Sequence, residues 1–239
     1  MKVFLLAHQD DEVFLLPHIM DSKQKLFIYL TSGVSEGSSE LKLEKRTAEA
    51  KAVFQKHLAC FNAQVIWWGL ENSVSEGQLH KFVSEKYLSA IEEVIRNQGT
   101  QITQIVTTTF EGAHQDHDSA AVVSRTLAKA FQVNCIEMST YPQWFSKFYS
   151  FKVLNPHATE EGFPLERLRT LVLALKLMAS YKTQRNTWLG LGPATLAAFT
   201  FRKYKSSKPV PVAETHSCFY EFRGRANQGE VLRYLASNE

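Results

Sequence analysis

Cysteine is scarce. Cys60, Cys135 and Cys218 are the three in 239 residues. They lie far apart with no C-x-x-C spacing, which argues against a disulfide framework and for a reducing compartment. An excess of one charge is also lacking. Lysine and arginine number 27 against 24 aspartates and glutamates, a net +3, and so even a balance makes no electrostatic case for nucleic acid. The basic stretch "FRKYKSSK" reads as a solvated face. Long apolar runs are missing as well. "MKVFLLA" is too short for a secretory leader and is interrupted by His8, Asp10, Asp11 and Glu12. "LRTLVLALKLMASY" carries Arg169 and Lys176 and falls short of a bilayer's width. A soluble, cytoplasmic protein with no integral membrane segment is expected. No linker, low-complexity stretch or long repeat divides the chain, so residues 1–239 are expected to form one domain.

Short β-rich runs alternate with longer stretches of helical period. "KVFLLAH", "KLFIYLTSG", "AQVIWWG", "QIVTTTF" and "NCIEMST" read as strands. Their near-continuous apolar character suits parallel strands covered on both faces. Helices are expected over residues 11–20, 41–59, 79–97 and 118–131. This alternation implies a Rossmann-like α/β fold, a three-layer αβα sandwich around a mostly parallel, doubly wound sheet. Past residue 140 the pattern changes. Aromatics crowd "YPQWFSKFYSF", a helix is expected over 164–184, and "SCFYEF" reads as a late strand. The aromatic segment is either core or the lining of an acceptor subsite.

The tetrapeptide Ala-His-Gln-Asp occurs twice, in "LAHQDDEV" from residue 6 and in "GAHQDHDS" from residue 112. One copy follows the first strand and the other follows the fourth. Ligands bind open α/β sheets at the carboxyl ends of strands where strand order reverses, so both copies are placed to face one crevice. Between them they supply His8, Asp10, Asp11, His114, Asp116 and His117. Two imidazoles and a carboxylate make a three-ligand set for Zn²⁺ with one position open. A leftover carboxylate can take a proton from water, and a spare imidazole can meet charge developing on a substrate oxygen.

These paired motifs resemble those of the LmbE/PIG-L family of zinc-dependent N-acetylglucosamine deacetylases, which have AHPDDE after the first strand and H-x-D-H after the fourth. "TSG" at residues 31–33, "RTAEA" at 46–50 and "KLMASYKTQ" at 176–184 are similar to further family motifs. The resemblance covers the first two thirds of the chain well and the rest loosely. It implies an LmbE-like fold in which His8, Asp11 and His117 hold Zn²⁺ and Asp10 is the general base. His114 would face the oxyanion and Asp116 would orient a histidine, while Glu12 would be structural. Arg46 becomes a substrate-binding residue, against the alternative of an i,i+3 ion pair with Glu49. Tyr141 would bind the sugar or the oxyanion, against plain aromatic packing. Gln9 and Gln115 stand where the family commonly has proline, and Asn72 stands near a family aspartate. His18, His57, His80, His157 and His216 have no partner in these motifs and are expected at the surface or core edge.

The implied reaction is hydrolysis of an acetamido group on an N-acetylglucosamine-type sugar or its conjugate, with zinc-bound water as nucleophile. Two histidines and a carboxylate also describe a non-haem Fe(II) site. A metal-dependent phosphoesterase would want more carboxylates, and a non-catalytic sugar-binding module would not need every catalytic position filled. The group linked to the amino sugar and the presence of a homo-oligomer stay open at this stage.

Overall fold

The structure is a computed structural model. It describes residues 1–21, 23–110, 112–138, 140, 158–161, 167–190, 204–207, 229 and 231. Five strands form one parallel sheet: β1 (Lys2–Leu6), β2 (Lys25–Tyr29), β3 (Ala63–Ile66), β4 (Gln104–Thr108) and β5 (Asn134–Met138). Their spatial order is β3-β2-β1-β4-β5, with every pair parallel. The chain thus winds outward from β1 in one direction, then crosses back to β4 and winds the other way. β1 and β4 are neighbours with Leu5 opposite Thr107, so the switch point lies above their carboxyl ends.

Side chains alternate across the sheet and build two cores. Val3 and Leu5 of β1 join the core beneath α4 (Leu79–Phe82), α5 (Glu85–Arg96) and α6 (Gln115–Phe131). Phe4 and Leu6 join the opposite core, beneath α1 (Glu12–Ile19), α2 (Glu40–Val53) and α7 (Arg167–Ser180). Covering on both faces explains why these strands read as unbroken apolar runs rather than alternating ones. A short helix, α3 (Trp68–Glu71), follows β3. An antiparallel pair, β6 (Ala158–Glu161) with β7 (Tyr204–Ser207), is separate from the sheet, with β7 running beside β5. The three-layer, doubly wound architecture agrees with the expectation. Among the described residues no helix is long and apolar enough to cross a membrane.

Boundaries differ where side chains decide them. The helix expected over 79–97 is two: α4 stops at Phe82, and Ser84, in an extended conformation, caps α5 by accepting from the Tyr87 N–H. The helix expected over 41–59 starts at Glu40 behind a Ser39 cap, then changes to a π turn at Phe54–Leu58 and a 3₁₀ turn at Ala59–Phe61. The helix expected from 118 begins at Gln115, because His114 is its own N-cap and its Nδ1 accepts the Asp116 N–H. "YPQWFSKFYSF", "SCFYEF", Tyr141, His157, His216 and Cys218 lie outside the described residues.

Candidate metal centre

The first Ala-His-Gln-Asp copy occupies the loop between β1 and α1, and Asp11 sits at the helix N-cap. Its shape is set by the neighbouring strand ends. The Thr31 hydroxyl donates to the Ala7 carbonyl at 2.7 Å and accepts from the Gly33 N–H. Gln9 is almost fully buried and its Nε2 donates to the Thr31 carbonyl at 3.1 Å. Gly33 has φ +71°, and a Cβ there would fall 1.6 Å from Gln9 Oε1. Thr-Ser-Gly therefore works as a clasp on the loop, with the glycine leaving room for the glutamine.

The second copy forms the first turn of α6. Asp116 is fully buried and accepts from the Gly77 N–H at 2.6 Å and the Leu79 N–H at 3.1 Å, tying the loop before α4 to the centre. Gln115 Nε2 reaches the Gly77 carbonyl at 3.4 Å. Both glutamines at the proline positions are thus buried ties between neighbouring loops. Asp118 Oδ1 accepts from the Gly112 N–H, which holds the turn leading into the helix. Aspartates here also face the positive end of the α6 dipole.

The two copies meet. His8 Nδ1 lies 3.2 Å from His117 Nε2, His117 Nε2 lies 3.1 Å from Asp11 Oδ1, and His8 Nδ1 lies 3.8 Å from Asp11 Oδ1. All three residues are buried. The tautomers follow from the remaining contacts. His8 Nε2 donates to Asp116 Oδ2 at 3.0 Å, leaving the Nδ1 lone pair inward. His117 Nδ1 lies 3.4 Å from the Thr140 hydroxyl, so its Nε2 faces the same point. Two imidazole lone pairs 3.2 Å apart repel unless a proton or a metal cation lies between them. Ligand bonds of about 2.0–2.1 Å at tetrahedral angles place ligand atoms roughly 3.3 Å apart, which is the spacing found. His8, Asp11 and His117 therefore form a group that could hold a metal ion. Asp116 behind His8 holds that imidazole in its tautomer, the kind of carboxylate support that metal-binding histidines use.

Electrostatics agree with a site that attracts positive charge. Burial alone would lower the His8 pKa, but hydrogen bonds to Asp11 and Asp116 outweigh it and carry it well above the ordinary value. Burial would raise the Asp11 carboxyl, yet His117 and His8 pull it far below the usual carboxylate range. Asp116 is likewise brought down to about 2, against burial, by His8 and His114.

Asp10 points elsewhere. Its Oδ1 accepts from Arg46 Nη2 at 2.8 Å. Burial raises its pKa, with Asp11 adding to the rise and Arg46 opposing it. Arg46 is 2% exposed, so its stretch of α2 is not a solvated face. Its Nη1 donates to the Thr183 hydroxyl at 3.3 Å and lies 3.6 Å from Glu49, and its guanidinium stands 5.2 Å over the Tyr181 ring. The i,i+3 pair with Glu49 is present, but its arginine is buried beside Asp10 while Glu49 is only partly covered. Glu12, fully buried, accepts from the Tyr29 hydroxyl at 3.1 Å and from the Tyr181 hydroxyl. Burial pushes its carboxyl up to about 8.

Sequence reasoning missed Glu76. It approaches His114 Nε2 at 4.0 Å and joins His8 and His114 in a second group with metal-ligand spacing, sharing His8 with the first. Asn72, singled out instead, is exposed and donates to the Trp68 carbonyl at the end of α3. The isolated bridge from Ser35 to Glu76 brings the loop in, and no local pattern announces that pairing. His18 lies at the far end of α1, where its carbonyl accepts from Lys2. His57 contacts Ser180 at 3.1 Å. His80 departs from expectation: it is 1% exposed, in α4 beneath the centre's loop.

The two histidines and the aspartate that could hold a metal ion converge at the switch point, where open α/β sheets bind ligands. The sequence adds to this. A family model described as GlcNAc-PI de-N-acetylase, PIG-L, matches residues 3–128, just over half the chain, and the protein belongs to that family. No curated protein matches significantly. Among solved structures the fold is similar to N,N'-diacetylchitobiose deacetylase from Pyrococcus horikoshii, at TM-score 0.55 and 14% identity over 86% of this chain and 82% of that one. It is also similar to the A40926 pseudoaglycone deacetylase Dbv21, at TM-score 0.58 and 15% identity over 86% and 93%. A deacetylase triple mutant of the teicoplanin biosynthetic pathway gives TM-score 0.58 and 14% identity over 83% and 90%.

Proposed function

We propose that the protein is a zinc-dependent N-deacetylase that hydrolyses the acetamido group of an N-acetylglucosamine-type sugar or its conjugate. The observation that carries this reading is the convergence of His8 Nδ1, His117 Nε2 and Asp11 Oδ1 beside a separate buried carboxylate, Asp10. Membership of the family and the deacetylases that share the fold support the choice of reaction. Two nitrogens and one carboxylate oxygen suit Zn²⁺, which in such a set makes water acidic and polarises a carbonyl oxygen.

The chain's own groups supply the remaining steps. Asp10 takes a proton from the attacking water. Its burial makes it a stronger base than an exposed carboxylate, while Arg46 keeps it oriented and charged. His114 Nδ1 accepts the Asp116 N–H, so its proton resides on Nε2. That N–H is the donor for the carbonyl oxygen as negative charge builds on it. Water's oxygen bonds to the acetyl carbon, the C–N bond breaks, and the proton held by Asp10 passes to the departing nitrogen. Acetate and a free amine leave. Arg46 is proposed to reach a sugar hydroxyl, and Tyr141 to bind the sugar or the oxyanion.

Metal analysis of the purified protein combined with acetate release from acetamido sugars tests the reading. Stoichiometric zinc with acetate and amine in equal amounts is expected. Iron with oxygen consumption and no acetate overturns it.

A further inference from the structure

Six large apolar side chains are prominently exposed among the described residues. Four of them, Leu168, Val172, Leu175 and Leu189, belong to α7 and the helical residues just beyond it. Leu168, Val172 and Leu175 follow the i, i+4, i+7 spacing of one helical stripe. This is not the face that builds the core, because Ala174, Leu177 and Tyr181 do that. The helix therefore has an apolar inner face and a second, outer one, with Leu168 74% and Leu175 52% exposed. Beside the stripe runs a groove of about 460 Å³ floored by Met20, Phe61 and Leu173 and rimmed by Arg169 and Lys176.

The charged side chains along the helix and its continuation are of one sign. Among the described residues from 167 to 190 there is no aspartate or glutamate, while Glu49 of α2 accepts from the Thr183 N–H near the far end. Arg169, Lys176, Lys182 and Arg185 are all exposed along α7 and its continuation. His57 of the adjoining π turn, held at Ser180, has its pKa lowered by burial and then by Lys56 and Lys176, a sign of how close these cations stand. A second copy of the chain is a poor occupant. A two-fold contact on this face would set Arg169 and Lys176 against the same cations of the partner, with no carboxylate on the helix to answer them.

We infer that the outer face of α7 docks on an anionic phospholipid bilayer. The aliphatic stripe enters the acyl boundary, the groove seats apolar chain, and the flanking lysines and arginines meet lipid phosphates. The helix is about 21 Å long. Its carboxyl end leads to the 3₁₀ turn Lys182–Gln184, where Thr183 contacts Arg46 next to Asp10. The groove itself lies at the other end of α7, beside Met20 at the carboxyl end of α1. The inference is independent of which bond the centre breaks.

Co-sedimentation of the full chain with vesicles tests it. Vesicles of equal parts phosphatidylcholine and phosphatidylglycerol are expected to bind it at least tenfold more tightly than phosphatidylcholine alone, roughly the effect of a few interfacial cations. Added salt should weaken the binding. Arg169→Glu, and separately Leu168→Ser with Val172→Ser, should each weaken it roughly tenfold. Far-UV circular dichroism and hydrolysis of a soluble acetamido sugar should stay unchanged in both variants. Absence of vesicle binding, equal binding to both vesicle types, or variants that bind like the parent overturns the proposal. So does a dimer in sedimentation equilibrium that Leu168→Ser with Val172→Ser dissociates. Loss of sugar hydrolysis in the parent protein would instead count against the proposed reaction and leave the vesicle result to stand alone.

Discussion

Asp10 and Asp11 are adjacent in sequence, yet their surroundings separate them. Asp11 faces two imidazoles that hold it ionised, whereas Asp10 turns to a buried guanidinium and has its pKa raised by burial. That division is what a ligand and a base require of neighbouring carboxylates. Asp10→Asn should therefore retain the metal and lose about 10²–10⁴ in turnover, the range of general-base catalysis. Elemental analysis beside the acetate assay checks it, and full activity in the metal-loaded variant would rule Asp10 out as base. A second residue acts on stability alone. His18 is buried at the far end of α1, and its pKa is lowered to about 4 by burial, then by Lys2. Its ordinary value is about 6.5, so the unfolded chain takes up the proton first. The stability it contributes is complete above about pH 6.5 and falls away as pH drops towards 4, by about 3 kcal/mol. Urea unfolding at a series of pH values should show this loss, and His18→Gln should flatten it.

At the scale of elements, the loops around the centre are braced by backbone contact as much as by side chains. Gly69 in α3 packs so closely on Thr31 that a Cβ would lie 2.2 Å from its Cα. Thr31 in turn holds Ala7 and Gln9. Gly69→Ala should cost about 1–3 kcal/mol in denaturant unfolding and reduce activity through the displaced loop. Unchanged stability and activity would show the brace to be dispensable. The same elements show how much is legible in the sequence. The parallel strands are, because burial on both faces leaves continuous apolar runs. The break at Ser84 is legible in retrospect, since a capping serine with an acidic Glu85 in the first turn is a start signal that the amphipathic pattern on both sides hides. The start of α6 is not, because a histidine capping its own helix has no propensity signature. The meeting of the two motifs can be read from topology, whereas the choice of His8, Asp11 and His117 among their six candidates rests on the family resemblance. Glu76 cannot be picked out, since its approach depends on the single bridge to Ser35. Nor can Arg46's place beside Asp10, which requires knowing that α2 turns that face inward.

For the whole molecule, the proposed metal site would couple activity to stability. His8 and His117 each present a lone pair to one point, and Asp11 adds a buried charge. Removing a bound ion restores their mutual repulsion, and binding to the native state alone stabilises by mass action. Chelation should therefore lower the melting temperature as well as abolish turnover. Ion at a hundred times its dissociation constant contributes about 2.7 kcal/mol, which corresponds to roughly 5–10 °C for a chain of this size. Differential scanning calorimetry with and without chelator, followed by zinc readdition, checks it. An unchanged melting temperature would mean that the three groups hold no ion.

The pairing of β1 with β4 has a consequence for how the chain reaches this state. The two halves of the centre are 109 residues apart in sequence and meet only when Leu5 stands opposite Thr107. A slip of one residue along that ladder would carry His8 about 3.3 Å past His117 and turn each side chain of β1 to the other core. Ion capture is then a gauge of register. Capture at the proposed site can occur only after the most distant contact in the sheet has closed in its native alignment, so metal uptake during refolding should be no faster than the pairing of β1 with β4.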